Sequence, residues 1–215
     1  VCSSDLNLTE VYEVYLDDYD WGKKRKYGKR TRLSDKQVDA LRSVILNLRV
    51  DWDTLFDMFQ DESLSVDDLL MGADFLKVVK ESYNLKYPQM VFSDFLWTVR
   101  SIYLPLFLIL KSKLPKADIY HCVATGYAGV LGSMAKYFYD CGLIVSEHGI
   151  YTREREEELL KASWVAGVYK NIWIEQFRKM SKLAYDRADI VTSLFAHAKS
   201  LQIGLGCPEK KMMIT

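Results

Sequence analysis

The chemistry in this chain is concentrated in one segment, Ser146-Glu147-His148-Gly149-Ile150-Tyr151-Thr152-Arg153-Glu154-Arg155. It sets an imidazole beside a carboxylate and follows them with a phenol and two guanidinium groups. A neutral imidazole such as that of His148 can hydrogen-bond a hydroxyl of a substrate. Arg153 and Arg155 are the residue type that clamps phosphates and polymer hydroxyls. Adjacent side chains on an extended segment point to opposite faces, so Glu147 and His148 cannot both face one ligand. Glu147 has three readings: it can orient His148, accept from a substrate hydroxyl, or form a structural ion pair with a nearby arginine. Arg153 also has a plainer reading, because Glu157 stands four residues on and that spacing suits a surface pair on a helix.

A second candidate is Thr125-Gly126-Tyr127-Ala128-Gly129-Val130-Leu131-Gly132. Small residues where a strand turns into a helix allow a ligand or another backbone to come close, and the free N–H groups there attract anions. Thr125 and Gly126, at the loop end, are candidate acceptor contacts. The glycine spacing is not the GxGxxG fingerprint of dinucleotide binding, which removes the main support for a nicotinamide-dependent oxidoreductase. Glycines three apart share a helical face, so packing of a helix on a sheet is the favoured role for Gly129 and Gly132. His121, Cys122, Cys141 and His148 match no common zinc spacing, and no metal site is expected from them.

The elements that would position these groups can be read from periodicity. A hydrophobic run, Leu143 to Val145, leads directly into Glu147, so a buried strand delivers the Glu-His pair to its C-terminal tip. In open α/β sheets that tip is where ligands bind. Strands are predicted at 8–16, 117–123, 143–145, 189–192 and 211–215. Helices are predicted at 127–139, 153–161 and 195–203, with a longer one carrying Trp173, Phe177, Met180 and Ala184 on one stripe. From Ser34, a helix-capping residue, to Leu114 the pattern is helical throughout, with segments at 52–59, 66–71, 75–83 and 92–113. Alternating strands and helices imply right-handed βαβ units, hence an α/β fold with a parallel sheet flanked by helices, and the block 34–114 reads as a helical insertion.

Composition bounds the function classes. The chain has 215 residues, 49% hydrophobic, with 29 basic and 29 acidic side chains and so a formal net charge of zero. That length and apolar content suit one large or two small domains, and the balanced charge gives no reason to expect nucleic acid as a partner. The basic run from Lys23 to Arg32 directly follows Asp17, Asp18 and Asp20 and reads as a solvated loop. The most hydrophobic stretch, Ser101 to Leu110, is about half of what a membrane helix needs, and it is expected to be a core helix. Scattered cysteines without a CxxC pair and an N-terminus without a signal peptide predict a reduced, cytoplasmic protein. The first residue is Val1 rather than Met, as in a piece of a longer chain.

Three strings together resemble a known family: Tyr120 to Gly129, Glu147 to Arg155, and Arg187-Ala188-Asp189-Ile190-Val191-Thr192-Ser193. They are similar to the N-terminal part of PelF-type glycosyltransferases, members of glycosyltransferase family 4 that are associated with export of an exopolysaccharide. The resemblance runs from about Leu8 to Thr215. It implies a GT-B architecture, with this chain as the Rossmann-like N-terminal, acceptor-side domain. It implies retaining transfer from a nucleotide-sugar donor, UDP-linked, to a growing polysaccharide, without metal or other cofactor and with a membrane-embedded export protein as partner. It places His148 beside the donor sugar as the catalytic contact, and Thr125, Gly126, Glu147, Tyr151, Arg153 and Arg155 on the substrate side. The family's glycine-rich loop would precede this sequence, and its donor-binding C-terminal domain would follow Thr215, so the chain is expected to be inactive alone. The competing reading is a non-catalytic Rossmann-like module that binds an acceptor or partner.

Overall fold

A computed structural model describes residues 10–16, 32–163, 165 and 167–215. Five helices come first: α1 (Asp35–Ile45), α2 (Trp52–Gln60), α3 (Val66–Leu70), α4 (Ala73–Lys86) and α5 (Phe92–Lys111). Then β1 (Ile119–Cys122), α6 (Gly126–Tyr139), β2 (Gly142–Glu147), α7 (Tyr151–Lys161), α8 (Gly167–Arg187), β3 (Ile190–Ser193), α9 (Ala196–Gly204) and β4 (Met212–Ile214) alternate. Among the described residues the four strands are parallel and lie in the order β1-β2-β3-β4. This is an α/β fold with a parallel sheet flanked by helices, consistent with a Rossmann-like domain.

The helix starts follow their sequence signals. Ser34 forms a capping box with Gln37, the hydroxyl accepting from the Gln37 N–H and the amide oxygen accepting from the Ser34 N–H. Such a cap satisfies two of the orphan donors at a helix start. Asp51 and Ser65 cap α2 and α3 by the simpler one-way bond, their side chains accepting from the Thr54 and Asp68 N–H groups. Leu48, which continues the apolar spacing of Leu41 and Ile45, lies beyond the end of α1 and is 55% exposed.

One further expectation changes and one holds. Residues 10–16, predicted as strand, join no strand among the described residues, and Val11, Tyr12, Val14 and Tyr15 are exposed; alternation of apolar residues supplies propensity, but a strand needs a neighbour to bond. The remainder of that predicted strand and the basic run lie outside the described residues, apart from Arg32. The apolar segment around Ser101 belongs to a 20-residue helix, α5, which by length and composition alone is apolar enough to cross a membrane. In this fold it is a core helix. Phe107 lies between Phe59, at 4.8 Å, and the edge of Phe75, at 6.4 Å, and the Tyr103 hydroxyl donates to the Val44 carbonyl at 2.8 Å.

The helical block and the sheet layer are not separate bodies. One apolar cluster runs from Leu41, Phe56 and Phe107 through Val130 and Met134 of α6 to Phe177 and Met180 of α8. Lysines tie the C-terminal end of α1 to its neighbours: Lys86 donates to the Leu46 carbonyl at 2.7 Å and Lys179 to the Val44 carbonyl. Lys86 there meets the negative end of the helix dipole.

Inside the sheet layer, Cys122, Leu143, Val145 and Val191 are buried beneath the helices with Ala184 and Tyr185. Monotonic strand order with right-handed crossovers puts the connecting helices on one face. The other face carries Ile119, His121, Ile144, Ser146, Ile190, Thr192 and Met213, exposed or half-buried. His121 Nε2 and Ser146 Oγ are 2.8 Å apart on it, and Thr192 Oγ1 donates to Ser146 Oγ at 2.7 Å.

The two glycines predicted to pack do so. A Cβ on Gly129 would lie 2.6 Å from the Ala184 Cβ, and one on Gly132 would lie 2.5 Å from Cys122 Sγ. Both distances are well inside van der Waals contact, so only glycine lets α6 approach α8 and β1 this closely.

Candidate functional site at the tip of the second strand

β2 ends at Glu147, and the alternation of its side chains decides what each tip residue does. Leu143, Val145 and Glu147 turn inward and are buried, Glu147 to 2% exposure, while His148 is exposed. The two neighbours therefore part company, one inside the fold and one facing solvent.

Glu147 is held by four donors. Oε1 accepts from Thr125 Oγ1 at 2.9 Å and from the Tyr151 N–H at 3.3 Å. Oε2 accepts from the Tyr185 hydroxyl at 2.6 Å and from Gln202 Nε2 at 2.9 Å. A carboxylate has about four lone-pair sites, and this arrangement fills them. The expected arginine ion pair is not formed; a buried charge is satisfied here by neutral donors and by the positive N-terminal end of α7, which begins at Tyr151. Burial and the adjacent carboxylate hold the Tyr185 hydroxyl far above its ordinary pKa, so it stays a donor.

The network continues inward with a fixed direction of donation. Thr125 gives its one proton to Glu147, so Ser181 Oγ donates to Thr125 at 2.8 Å and Thr152 Oγ1 donates to Ser181 at 2.7 Å. Chains of this kind polarise one another and strengthen each bond. The result binds β2, α7, α8, α9 and the turn before α6 to one carboxylate. The loop Glu147-His148-Gly149-Ile150 is closed by its own first side chain on the N–H of Tyr151, which fixes where His148 stands.

The remaining candidates divide between packing and exposure. Thr125 is fully buried with its hydroxyl engaged, and Gly126 is buried under Tyr151, where a Cβ would lie 2.5 Å from the ring. Tyr151 packs edge-on against Phe177 at 5.8 Å, and burial pushes its hydroxyl up to about 12. Arg155 lies over the Tyr151 ring at 5.9 Å and pairs with Glu158 at 2.6 Å. Arg153 is exposed, and the pair expected with Glu157 does not form: Glu157 faces Lys161 at 3.7 Å instead. Of the sequence-predicted residues, His148 and Arg153 are thus exposed side chains, whereas Thr125, Gly126, Glu147 and Tyr151 form the support beneath. His121 and His148 lie on the open side of the sheet and Cys122 on the helix side, so the histidine-cysteine set does not converge.

Sequence reasoning missed the partners of Glu147. Tyr185 and Gln202 lie 38 and 55 residues away in sequence, and neither stands in a motif. Gln202, fully buried inside a short helix, was the one available signal, since a buried amide requires a partner.

The strand order, the one-sided connecting helices and a strand tip bearing a solvent-facing histidine define a Rossmann-like α/β domain with its candidate site at the carboxyl edge of the sheet. The chain belongs to the family described as a domain of unknown function, DUF3492, whose model matches residues 5–210; this domain is found in the N-terminal regions of glycosyltransferases. No curated protein and no solved structure matches the chain.

Proposed function

We propose that this domain is the acceptor-side part of a retaining glycosyltransferase of the PelF type, one that transfers sugar from a UDP-linked donor to a growing exopolysaccharide on the cytoplasmic side of an export protein. The observation that carries the reading is His148: a solvent-facing imidazole at the tip of an inner strand, on a loop whose position is set by a buried, fully bonded carboxylate. Ligands of open α/β sheets bind at such tips. Membership of a family found in glycosyltransferase N-terminal regions supports the same reading. So does the sheet face that the described residues leave exposed, because parallel sheets are covered on both faces and half of a doubly wound sheet leaves one bare.

In this proposal the Glu147 network does no bond making. It holds the His148 loop still, so that the imidazole can hydrogen-bond a hydroxyl of the donor sugar and the adjacent carbonyl can face positive charge developing as the leaving group departs. Arg153, free of the Glu157 pair, is available to the acceptor. The donor nucleotide would be held by the second domain of a GT-B enzyme.

The test is transfer by a full-length protein carrying this domain. Labelled UDP-sugars are supplied, and polymer formation and donor hydrolysis are measured for wild type and His148→Ala. The proposal expects the variant to lose transfer by at least about a hundredfold, the scale of removing one preorganised polar contact. Undiminished transfer in the variant removes His148 from the mechanism, and no transfer from any UDP-sugar by the wild type removes the activity.

A further inference from the structure

A cleft of about 1050 Å³ opens between the turn that joins α1 to α2, one face of α8 and the end of α9. Its size is at the upper end of small-molecule sites. The turn is built by its sequence. Asn47 takes the left-handed conformation at φ 56°, which asparagine tolerates, and so ends α1. The Leu48 N–H then bonds back to the Ser43 carbonyl at 2.9 Å, and the Asp51 N–H donates to Ser43 Oγ at 3.2 Å. A turn closed in this way usually folds its next apolar side chain back onto the helix. Leu48 instead stays 55% exposed and lines the cleft with Arg49 and Trp52, whose ring stacks on Phe56 at 6.2 Å.

The α8 wall is cationic. Arg178, Lys179, Lys182 and Arg187 recur at helical spacing on the face that lines the cleft. Three of them are paired: Arg178 with Glu156 at 3.1 Å, Lys182 with Asp186, and Arg187 with Asp53. Lys179 and Arg49 have no carboxylate partner among the described residues. The Lys179 ammonium donates to the Val44 carbonyl and, at 3.1 Å, to the hydroxyl of Tyr103 on α5, both neutral, which leaves a third N–H. Burial lowers its pKa to about 7, with Glu175, one turn back on α8, opposing and Lys86 of α4 adding to the shift. Charges withdrawn from water are ordinarily paired. One cleft therefore brings together an ammonium short of both water and a counter-ion, an unpaired guanidinium and an apolar wall.

We propose that this cleft binds a nucleoside phosphate, its phosphate on Lys179 and Arg49 and its base against Leu48 and Trp52. The inference does not rest on the glycosyltransferase reading. α8 leaves the cleft at Arg187 and the chain enters β3 at Ile190, so the cleft lies toward the amino ends of the strands and away from the β2 tip. Lysine meets phosphate as a point charge and arginine as a two-pronged donor, and a phosphate has oxygens enough for both. An indole and a leucine side chain match the flat face of a base. Asn47 also lines the cleft, and its amide can donate to and accept from a base edge. A bound anion favours the charged form of Lys179, so binding takes up a proton wherever the free amine is neutral.

Isothermal titration calorimetry of the 215-residue chain tests this with AMP and UMP as probes, and with inorganic phosphate and adenosine as the two halves of the ligand. At least one nucleotide binds the wild type at about pH 7, and each half binds more weakly by about tenfold or more. Lys179→Met and Arg49→Gln each weaken the nucleotide Kd by about tenfold or more, while far-UV circular dichroism stays that of the wild type. Between about pH 7 and pH 9 the wild type loses affinity by about tenfold or more as Lys179 gives up its proton, and Lys179→Met does not. Four results overturn the site: no binding of either nucleotide, equal binding of inorganic phosphate or adenosine, an unchanged Kd in either variant, or a wild-type affinity that is level across this pH range.

Discussion

Substituting Glu147→Gln keeps the size of the side chain and removes one of its two acceptor atoms, so it isolates the role of the carboxylate. Each oxygen serves two donors: Thr125 and the Tyr151 N–H on one side, Tyr185 and Gln202 on the other. Whichever end the new amide nitrogen takes, two buried donors face a third donor. Leaving a buried donor unsatisfied costs about 1–3 kcal/mol; rotation of one hydroxyl relieves part of it, so a loss of about 3 kcal/mol is expected. For 215 residues an unfolding entropy of about 2.1 cal/mol/K per residue gives about 0.45 kcal/mol/K, and the loss becomes a drop of about 7 °C in Tm. Differential scanning calorimetry of the chain and its variant measures this directly. A second readout, the NMR signal of the His148 ring, should shift and broaden as its loop loosens. A Tm within about 1 °C of wild type with an unmoved His148 resonance would refute the claim that this carboxylate organises the strand tip.

Other consequences are as definite. Gly129→Ala overpacks the α6–α8 contact and should cost about 1–3 kcal/mol, and the second change Ala184→Gly should recover most of it, because the added carbon meets the Ala184 Cβ at 2.6 Å; urea unfolding of the four-member cycle reads the coupling. Lys179 has its ordinary pKa of 10.5 lowered to about 7, chiefly by burial, with Glu175 opposing and Lys86 adding to the shift. The unfolded chain then holds a proton that the folded chain releases, so stability from this site rises with pH between about 7 and 10.5, and below about 7 the full cost of burying the ammonium is present. Lys179→Met, which leaves the Val44 carbonyl its bond from Tyr103, should therefore gain on wild type most near pH 6 and least near pH 9 in denaturant titrations. Ser34→Ala removes the capping box of α1 and should cost about 1 kcal/mol by the same assay.

The architecture was legible wherever a local rule controls it. Ser34 announced α1, the glycines three apart announced a close helix contact, and Leu143 to Val145 placed Glu147 at a strand tip. Alternation alone separated Glu147 from His148, and the structure keeps them on opposite faces. What alternation could not give is the content of the inside. Nothing near Glu147 in sequence points to Tyr185 or Gln202, because long-range hydrogen bonds leave no periodic trace. Residues 10–16 show the converse, with strand propensity and no strand partner among the described residues. The charge pairing on α7 also escaped: Arg153, Arg155, Glu157, Glu158 and Lys161 allow several equivalent pairs, and packing of Arg155 on Tyr151 selects the one with Glu158.

The central claim is that this domain presents His148 to a sugar donor from a rigid strand tip. Turnover of a labelled UDP-sugar by the full-length protein, compared between wild type, His148→Ala and Glu147→Gln, tests it most directly. The account predicts transfer by the wild type, a loss of at least about a hundredfold in His148→Ala, and an intermediate loss in Glu147→Gln. Full activity in His148→Ala, with the fold intact by circular dichroism, would contradict it.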